Sequence, residues 1–116
     1  MQNSQHQQIQ LIRLREPRGR DAARAVRDQL APALAETGHV VLDLRRLMPD
    51  TTLLGVVLSF QRRLELNGRL LLVVSQDRGF FRLLDALGIS SALTVFTDVD
   101  AAVAYAELQT APELAA

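Results

Sequence analysis

The chain has 116 residues, no cysteine, and 13 acidic and 13 basic side chains, so its formal charge is zero. This length predicts one domain with a core of its own, and the lack of cysteine excludes disulfides and thiol chemistry. The balanced charge argues against nucleic-acid binding. No apolar run reaches membrane-spanning length and residues 1–8 do not look like a signal peptide. We therefore expect no membrane insertion and a cytoplasmic location.

The first part of the chain predicts a strand followed by a helix. Residues 1–8 are polar and are expected to form a flexible N-terminal segment, whereas residues 9–14 alternate as a strand does. Asp21 is a predicted helix cap, and apolar residues then recur at helical spacing. Pro32 lies inside this pattern and predicts a kink or an early end there. The pair Thr37-Gly38 is the predicted close of the segment.

The next segment contains the pattern on which the functional hypothesis rests. Residues 40–44 are mainly apolar and predict a buried strand, which Pro49 cannot continue. Asp50 occupies the position of a helix N-cap, and Thr51 and Thr52 begin the helix. Two hydroxyls therefore lie beside a helix N-terminus at the carboxyl end of a strand, where sites in open α/β sheets usually lie.

Alternation along this strand predicts how its two faces are covered. His39, Val41 and Asp43 fall on one face, whose mixed polarity predicts that helices cover it only in part. We accordingly expect Asp43 to be solvated and His39 to be a solvated or hydrogen-bonded surface residue, too isolated from His6 to form a metal site.

The helix that begins at Thr51 predicts an apolar stripe and a polar side. Leu53, Val57 and Phe60 share the stripe, so we expect Leu53 to be buried. Thr52 and Arg63 fall on the opposite side, where the Thr52 hydroxyl would be accessible to another protein.

The remaining chain repeats the strand-helix pattern. Residues 69–75 form a nearly continuous apolar run that predicts a central parallel strand, and Asp77 begins a helix that ends at Gly88. A short strand at residues 93–96 and a final helix from Thr97 or Asp98 follow.

Four strand-helix repeats predict an α/β fold with a mostly parallel sheet of four to five strands and about four helices. We expect one domain over residues 9–110 and a C-terminal tail over residues 111–116.

The inventory of side chains argues against enzymatic activity. Every basic residue is Arg, so a phosphate-binding loop and a response-regulator receiver both lack their Lys. No Gly-x-Gly-x-x-Gly or Gly-x-Ser-x-Gly motif is present. We expect no catalytic residue, no bound metal and no cofactor.

The sequences at residues 40–44 (VVLDL), 50–55 (DTTLLG) and 68–74 (GRLLLVV) resemble the STAS domain, the domain of bacterial anti-sigma-factor antagonists. The resemblance extends over about residues 11–108. The family usually has Asp-Ser-Ser/Thr-Gly-Leu-Gly at the motif, and its second hydroxyl is the phosphoacceptor. That role falls on Thr52, with Thr51 beside it, while Leu53 replaces the usual Gly.

The resemblance implies a protein-protein interaction module that regulates transcription or a stress response. Its unphosphorylated form would bind an anti-sigma serine/threonine kinase, and a phosphatase would reset the phosphorylated form. Arg62 and Arg63 lie about 15 Å along the helix from Thr52, so they would rim the docking surface without holding a phosphate. The predicted partner-binding residues are Asp50, Thr51, Thr52, Leu53, Arg62 and Arg63.

Two other hypotheses remain open from the sequence. The domain would be a STAS-like scaffold in a stable assembly, such as a stressosome-type particle or a lipid-transporter complex, without phosphorylation of its threonines. A nucleotide-binding module is a third hypothesis, which measurable ATP or GTP binding would support.

The family usually has one more strand before the first helix, and without it the strand between Ile9 and Leu14 would offer an open edge for a homodimer.

Overall fold

A computed structural model of the chain describes residues 9–16 and 21–110, in which four strands and four helices alternate. The strands follow the alternating segment and the apolar runs of the sequence, and the helices follow its helical patterns. The elements are β1 (Gln10–Arg13), α1 (Ala22–Leu34), β2 (Val40–Asp43), α2 (Thr51–Glu65), β3 (Leu71–Val74), α3 (Arg78–Ala86), β4 (Thr94–Phe96) and α4 (Val99–Thr110).

The four strands form one parallel sheet in the order β1-β2-β3-β4. Val40 pairs with Gln10 on one side and with Leu71 on the other, and Leu72 pairs with Thr94. Because every strand runs the same way, all four strands end at one edge of the sheet, which we call the carboxyl edge. The α/β fold and parallel sheet predicted from the sequence are confirmed, with four strands in the described residues. The predicted segments at residues 1–8 and 111–116 lie outside those residues.

The main core lies between the sheet and helices α1, α2 and α3. Val40 and Leu42 of β2 contribute to it from the sheet, and Val26, Leu30 and Phe80 contribute from the helices. The predicted apolar stripe of α2 is confirmed. It is buried at Leu53, Val57, Phe60 and Leu64.

Helix α4 covers the opposite face of the sheet, so the expectation of a partly covered face is wrong for β2. Ala102 and Ala106 pack against Val41, and all three side chains are fully buried. Their small methyl groups leave room for the helix to lie close to the strands. The edge strand β1 leaves this face more open, since Leu11 remains 41% exposed.

Aspartate caps begin the helices at the carboxyl edge, as predicted. The carboxylates of Asp21, Asp50 and Asp77 each accept a hydrogen bond from the backbone N–H three residues later, at 2.9, 2.9 and 3.0 Å. Asp98 accepts one from Ala101 at 3.1 Å. Each cap satisfies a donor that the helix itself cannot satisfy. Helix α1 continues through Pro32 and ends at Leu34, so it does not end early at the proline.

His39 links three elements at the opposite, amino edge of the sheet. It is buried rather than on the surface, and its Nδ1 accepts a hydrogen bond from the Leu70 N–H at 2.9 Å. The ring also hydrogen-bonds to the backbone of Gln109 near the end of α4. Burial lowers the pKa of His39 and the neighbouring Arg69 charge lowers it further, although the bond to Gln109 acts in the opposite direction.

The lowered pKa of His39 predicts that the fold loses stability in mild acid. The unfolded chain binds the proton at a higher pH than the folded chain, so this contribution is complete above about pH 6.5 and falls as the pH drops below that value. One proton limits the slope to about 1.4 kcal/mol per pH unit. Urea unfolding at several pH values between 7.5 and 5.5 measures how the free energy of unfolding depends on pH. His39→Gln is expected to flatten this dependence, whereas the control His6→Gln is expected to retain it; an equally steep slope in His39→Gln contradicts the assignment.

Candidate functional site

The two threonines lie where the sequence predicts them, at the start of α2 on the carboxyl edge. Asp50 has an extended backbone and caps the helix through its bond to the Leu53 N–H. Thr51 and Thr52 occupy the first two helical positions, and both are exposed. The N–H groups of this first turn precede the intrahelical hydrogen bonds, so the site carries the positive end of a 15-residue helix.

Leu53, the departure from the usual family Gly, is a core residue. Its side chain is 8% exposed and belongs to the main hydrophobic cluster with Val26 and Val57. The expected burial is therefore confirmed. Leu53 leaves the threonine hydroxyls uncovered, and it offers little surface of its own to a partner.

Two concave surfaces meet at Thr52. The first, which we call the Thr52 cavity, is about 250 Å³ and lies between the start of α1 and the loop from β2 to α2. The second, the interhelical groove, is about 430 Å³ and runs between α1 and α2. Thr52 lines both, whereas Thr51 lines only the groove. Thr52 therefore lies where the two concave surfaces meet, whereas Thr51 lies at one of them.

Arginines surround this site, only some of which the sequence indicated. Arg63 lines the interhelical groove, and Arg27 of α1 lines it as well. Arg62 is exposed in the last turn of α2 and lines neither surface. Arg46 and the 87% exposed Met48 line the Thr52 cavity. Sequence reasoning missed Arg27, Arg46 and Met48, because their proximity to Thr52 depends on how α1 and the loop pack against α2.

Asp43 anchors the loop that leads to the site, and the prediction that it is solvated is wrong. It is 5% exposed, because α4 covers this face of β2. Its Oδ1 accepts bonds from the backbone N–H and Nε of Arg45, both at 3.0 Å, and its Oδ2 accepts one from Arg45 Nη2 at 2.9 Å. Arg13 Nε lies 3.9 Å from Oδ2.

Burial alone would raise the pKa of Asp43, but the hydrogen bonds and charge of Arg45, with the charge of Arg13, outweigh it and lower the pKa. The carboxylate therefore stays ionised and fixes the turn after β2.

A family model describes the chain. The model for the STAS domain matches residues 1–102, which include the two threonines and all four strands. The chain belongs to the STAS domain family. No curated protein matches it. The STAS fold of the chain is the one described above, with the capped start of α2 at the carboxyl edge.

Within residues 9–16 and 21–110, no three His, Asp or Glu side chains come together as a metal site would require. None of the helices in the described part of the chain is long and apolar enough to cross a bilayer.

The cap at Asp50 predicts a measurable effect on stability. Asp50→Ala removes the acceptor of the Leu53 N–H and is expected to cost about 1 kcal/mol in the free energy of unfolding. Asp50→Asn retains an oxygen acceptor and is expected to stay within about 0.5 kcal/mol of the original chain. Urea denaturation of both variants measures the difference. Equal losses in the two variants would show that the charge of Asp50, rather than its cap bond, matters to the fold.

Proposed function

We propose that this STAS domain is an anti-sigma-factor antagonist that binds an anti-sigma serine/threonine kinase and is released from it by phosphorylation of Thr52. Binding of the kinase by the unphosphorylated form would free a sigma factor and so regulate transcription, for example in a stress response. The observation that carries the proposal is the position of Thr52, exposed at the capped start of α2 and lining both concave surfaces.

The start of α2 is suited to accept a phosphate without unfolding. Phosphorylation adds about −1.5 to −2 charges near free backbone N–H groups at the positive helix end. The side chain of Thr52 lies outside the core that Leu53 enters. The main effect of the phosphate would therefore fall on the partner, through charge and bulk added to the contact surface.

The surface around Thr52 has the chemistry of a protein-docking site. The interhelical groove is lined by apolar and small side chains, including Val56 and Ala31, and by Arg27 and Arg63. Met48 adds an exposed thioether beside the Thr52 cavity. Flexible Met side chains and arginines are enriched at protein interfaces. The proposed contact surface comprises Met48, Asp50, Thr51 and Thr52, with Arg27 and Arg63 in the groove.

The chain itself supplies only the acceptor hydroxyl in this account. The kinase would bring ATP and Mg²⁺ and take up the Thr52 hydroxyl proton with its own base. The γ-phosphoryl group would pass from ATP to Oγ1 as its bond to the β-phosphate oxygen breaks, and ADP would leave. A phosphatase would hydrolyse the phosphate ester with water. The proposal that the protein is not an enzyme and holds no cofactor follows from this division of roles.

A stable scaffold is the second candidate function, and exposed apolar side chains favour it. Leu108 on α4 is 73% exposed and Tyr105 is 37% exposed, while Leu11 is exposed on β1. Within the described residues β1 pairs only with β2, so its outer edge offers backbone groups to a second copy, as proposed for the edge between Ile9 and Leu14. A large, stable particle by light scattering, with unmodified threonines, would support this function over the switch.

Variants of the two threonines test the proposed switch in a pull-down from native cells. Thr52→Val preserves the shape of the side chain and cannot be phosphorylated, so it is expected to retain the kinase when ATP is added. Thr52→Glu places a negative charge at the contact and is expected to weaken binding by about tenfold or more, or ~1.4 kcal/mol.

Thr51→Val is the matched control, because it removes the neighbouring hydroxyl and keeps that of Thr52, so it is expected to release the kinase when ATP is added. A kinase that Thr51→Val also retains in the presence of ATP, or that Thr52→Glu retains, contradicts the proposal.

A further inference from the structure

Arg46 has an exposed cationic side chain in the same concave surface as Thr52. It lies in the loop between β2 and α2, is exposed, and makes no ion pair within residues 9–16 and 21–110. The adjacent Arg45 differs, because its guanidinium is committed to the buried carboxylate of Asp43. Arg45 therefore holds the loop, whereas the guanidinium of Arg46 can bind an anion.

The Thr52 cavity places Arg46 in the same concave surface as the threonine. Arg46 is the one basic side chain among the described residues that line this cavity. Glu16 and Asp50 line it as well, and Asp50 Oδ1 is occupied by the Leu53 N–H. The volume of the cavity is about 250 Å³. This is roughly the volume that eight water molecules occupy in the liquid, so a phosphate group and some solvent would fit.

The charges around this cavity are unbalanced once a phosphate is added. The carboxylates of Glu16 and Asp50 would repel it, and the N–H groups at the start of α2 would attract it. Arg46 supplies the additional positive charge, and its planar guanidinium can bind two phosphate oxygens at once. Arg62 and Arg63 do not line this cavity, which leaves Arg46 in the position to receive the group.

We propose that Arg46 binds the phosphate group of phosphorylated Thr52 across the Thr52 cavity. This inference rests on the proposed function, since it concerns the phosphorylated state of the same site. The contact would tie the loop that carries Met48 to the first turn of α2. Phosphorylation would then change the shape of the docking surface as well as its charge.

The experiment uses the full chain with phosphothreonine installed at position 52 during synthesis, so it does not depend on any kinase. Phosphorus NMR titration measures the second pKa of the phosphate, which is about 6 when unperturbed. A guanidinium contact lowers this pKa, because it favours the dianion. Arg46→Gln is expected to raise the measured value by about 0.5–1 unit, and Arg46→Lys is expected to restore part of the shift.

Arg15→Gln is the matched control. Arg15 is exposed, forms no side-chain ion pair within the described residues and lines a neighbouring groove with Arg46, but it does not line the Thr52 cavity. It is expected to leave the phosphate pKa within about 0.2 unit. No change in Arg46→Gln, or an equal change in Arg15→Gln, would overturn the proposal. Absence of Thr52 phosphorylation in cells would instead remove the proposed function and leave this measurement unaffected.

Discussion

The parallel arrangement of the four strands is the constraint from which the site follows. Each strand ends at the carboxyl edge, so each following helix begins there and presents unpaired N–H groups to that edge. Aspartates cap these ends, and the cap at Asp50 sets the start of α2. Thr52 is exposed because Leu53, its neighbour, enters the core. The direction of the strands, the cap at Asp50 and the apolar stripe of α2 together expose the Thr52 hydroxyl to solvent.

The two edges of the sheet have different physical roles. At the amino edge, His39 binds the backbone near β3 and α4, and the buried Arg69 donates from Nε to the Gly38 carbonyl at 2.6 Å. Burial lowers the pKa of Arg69, and its Nη2 has no hydrogen-bond partner among the described residues. At the carboxyl edge, by contrast, Arg46 and Met48 are exposed. The amino edge therefore holds the elements together, while the carboxyl edge presents the side chains to which we assign the proposed binding.

Local signals in the sequence were sufficient for most of the fold. The caps at Asp21, Asp50 and Asp77 and the buried position of Leu53 depend on residues a few positions apart, and all four were predicted correctly. The strand-helix alternation then specified a parallel sheet.

Long-range packing accounts for what the sequence did not show. Asp43 is buried because α4, about 60 residues later, lies over β2 and presents alanines such as Ala102 rather than a conspicuous apolar stripe. Arg27 and Arg46 reach the Thr52 site only through the packing of α1 and the loop, and neither position carries a periodic signal. The central hydroxyls, Asp50 and Arg63 of the candidate site were therefore predictable, but Arg27 and Arg46 were not.

The most direct test of the central claim is phosphopeptide mass spectrometry on the protein isolated from its native cells, with and without stress. Cleavage after Arg46 and Arg62 releases one peptide that contains both threonines. The account predicts phosphate on Thr52 whose occupancy changes with conditions. A well-detected peptide that is never phosphorylated, or that carries phosphate on Thr51 alone, would contradict the account and leave the start of α2 as a helix cap in a scaffold.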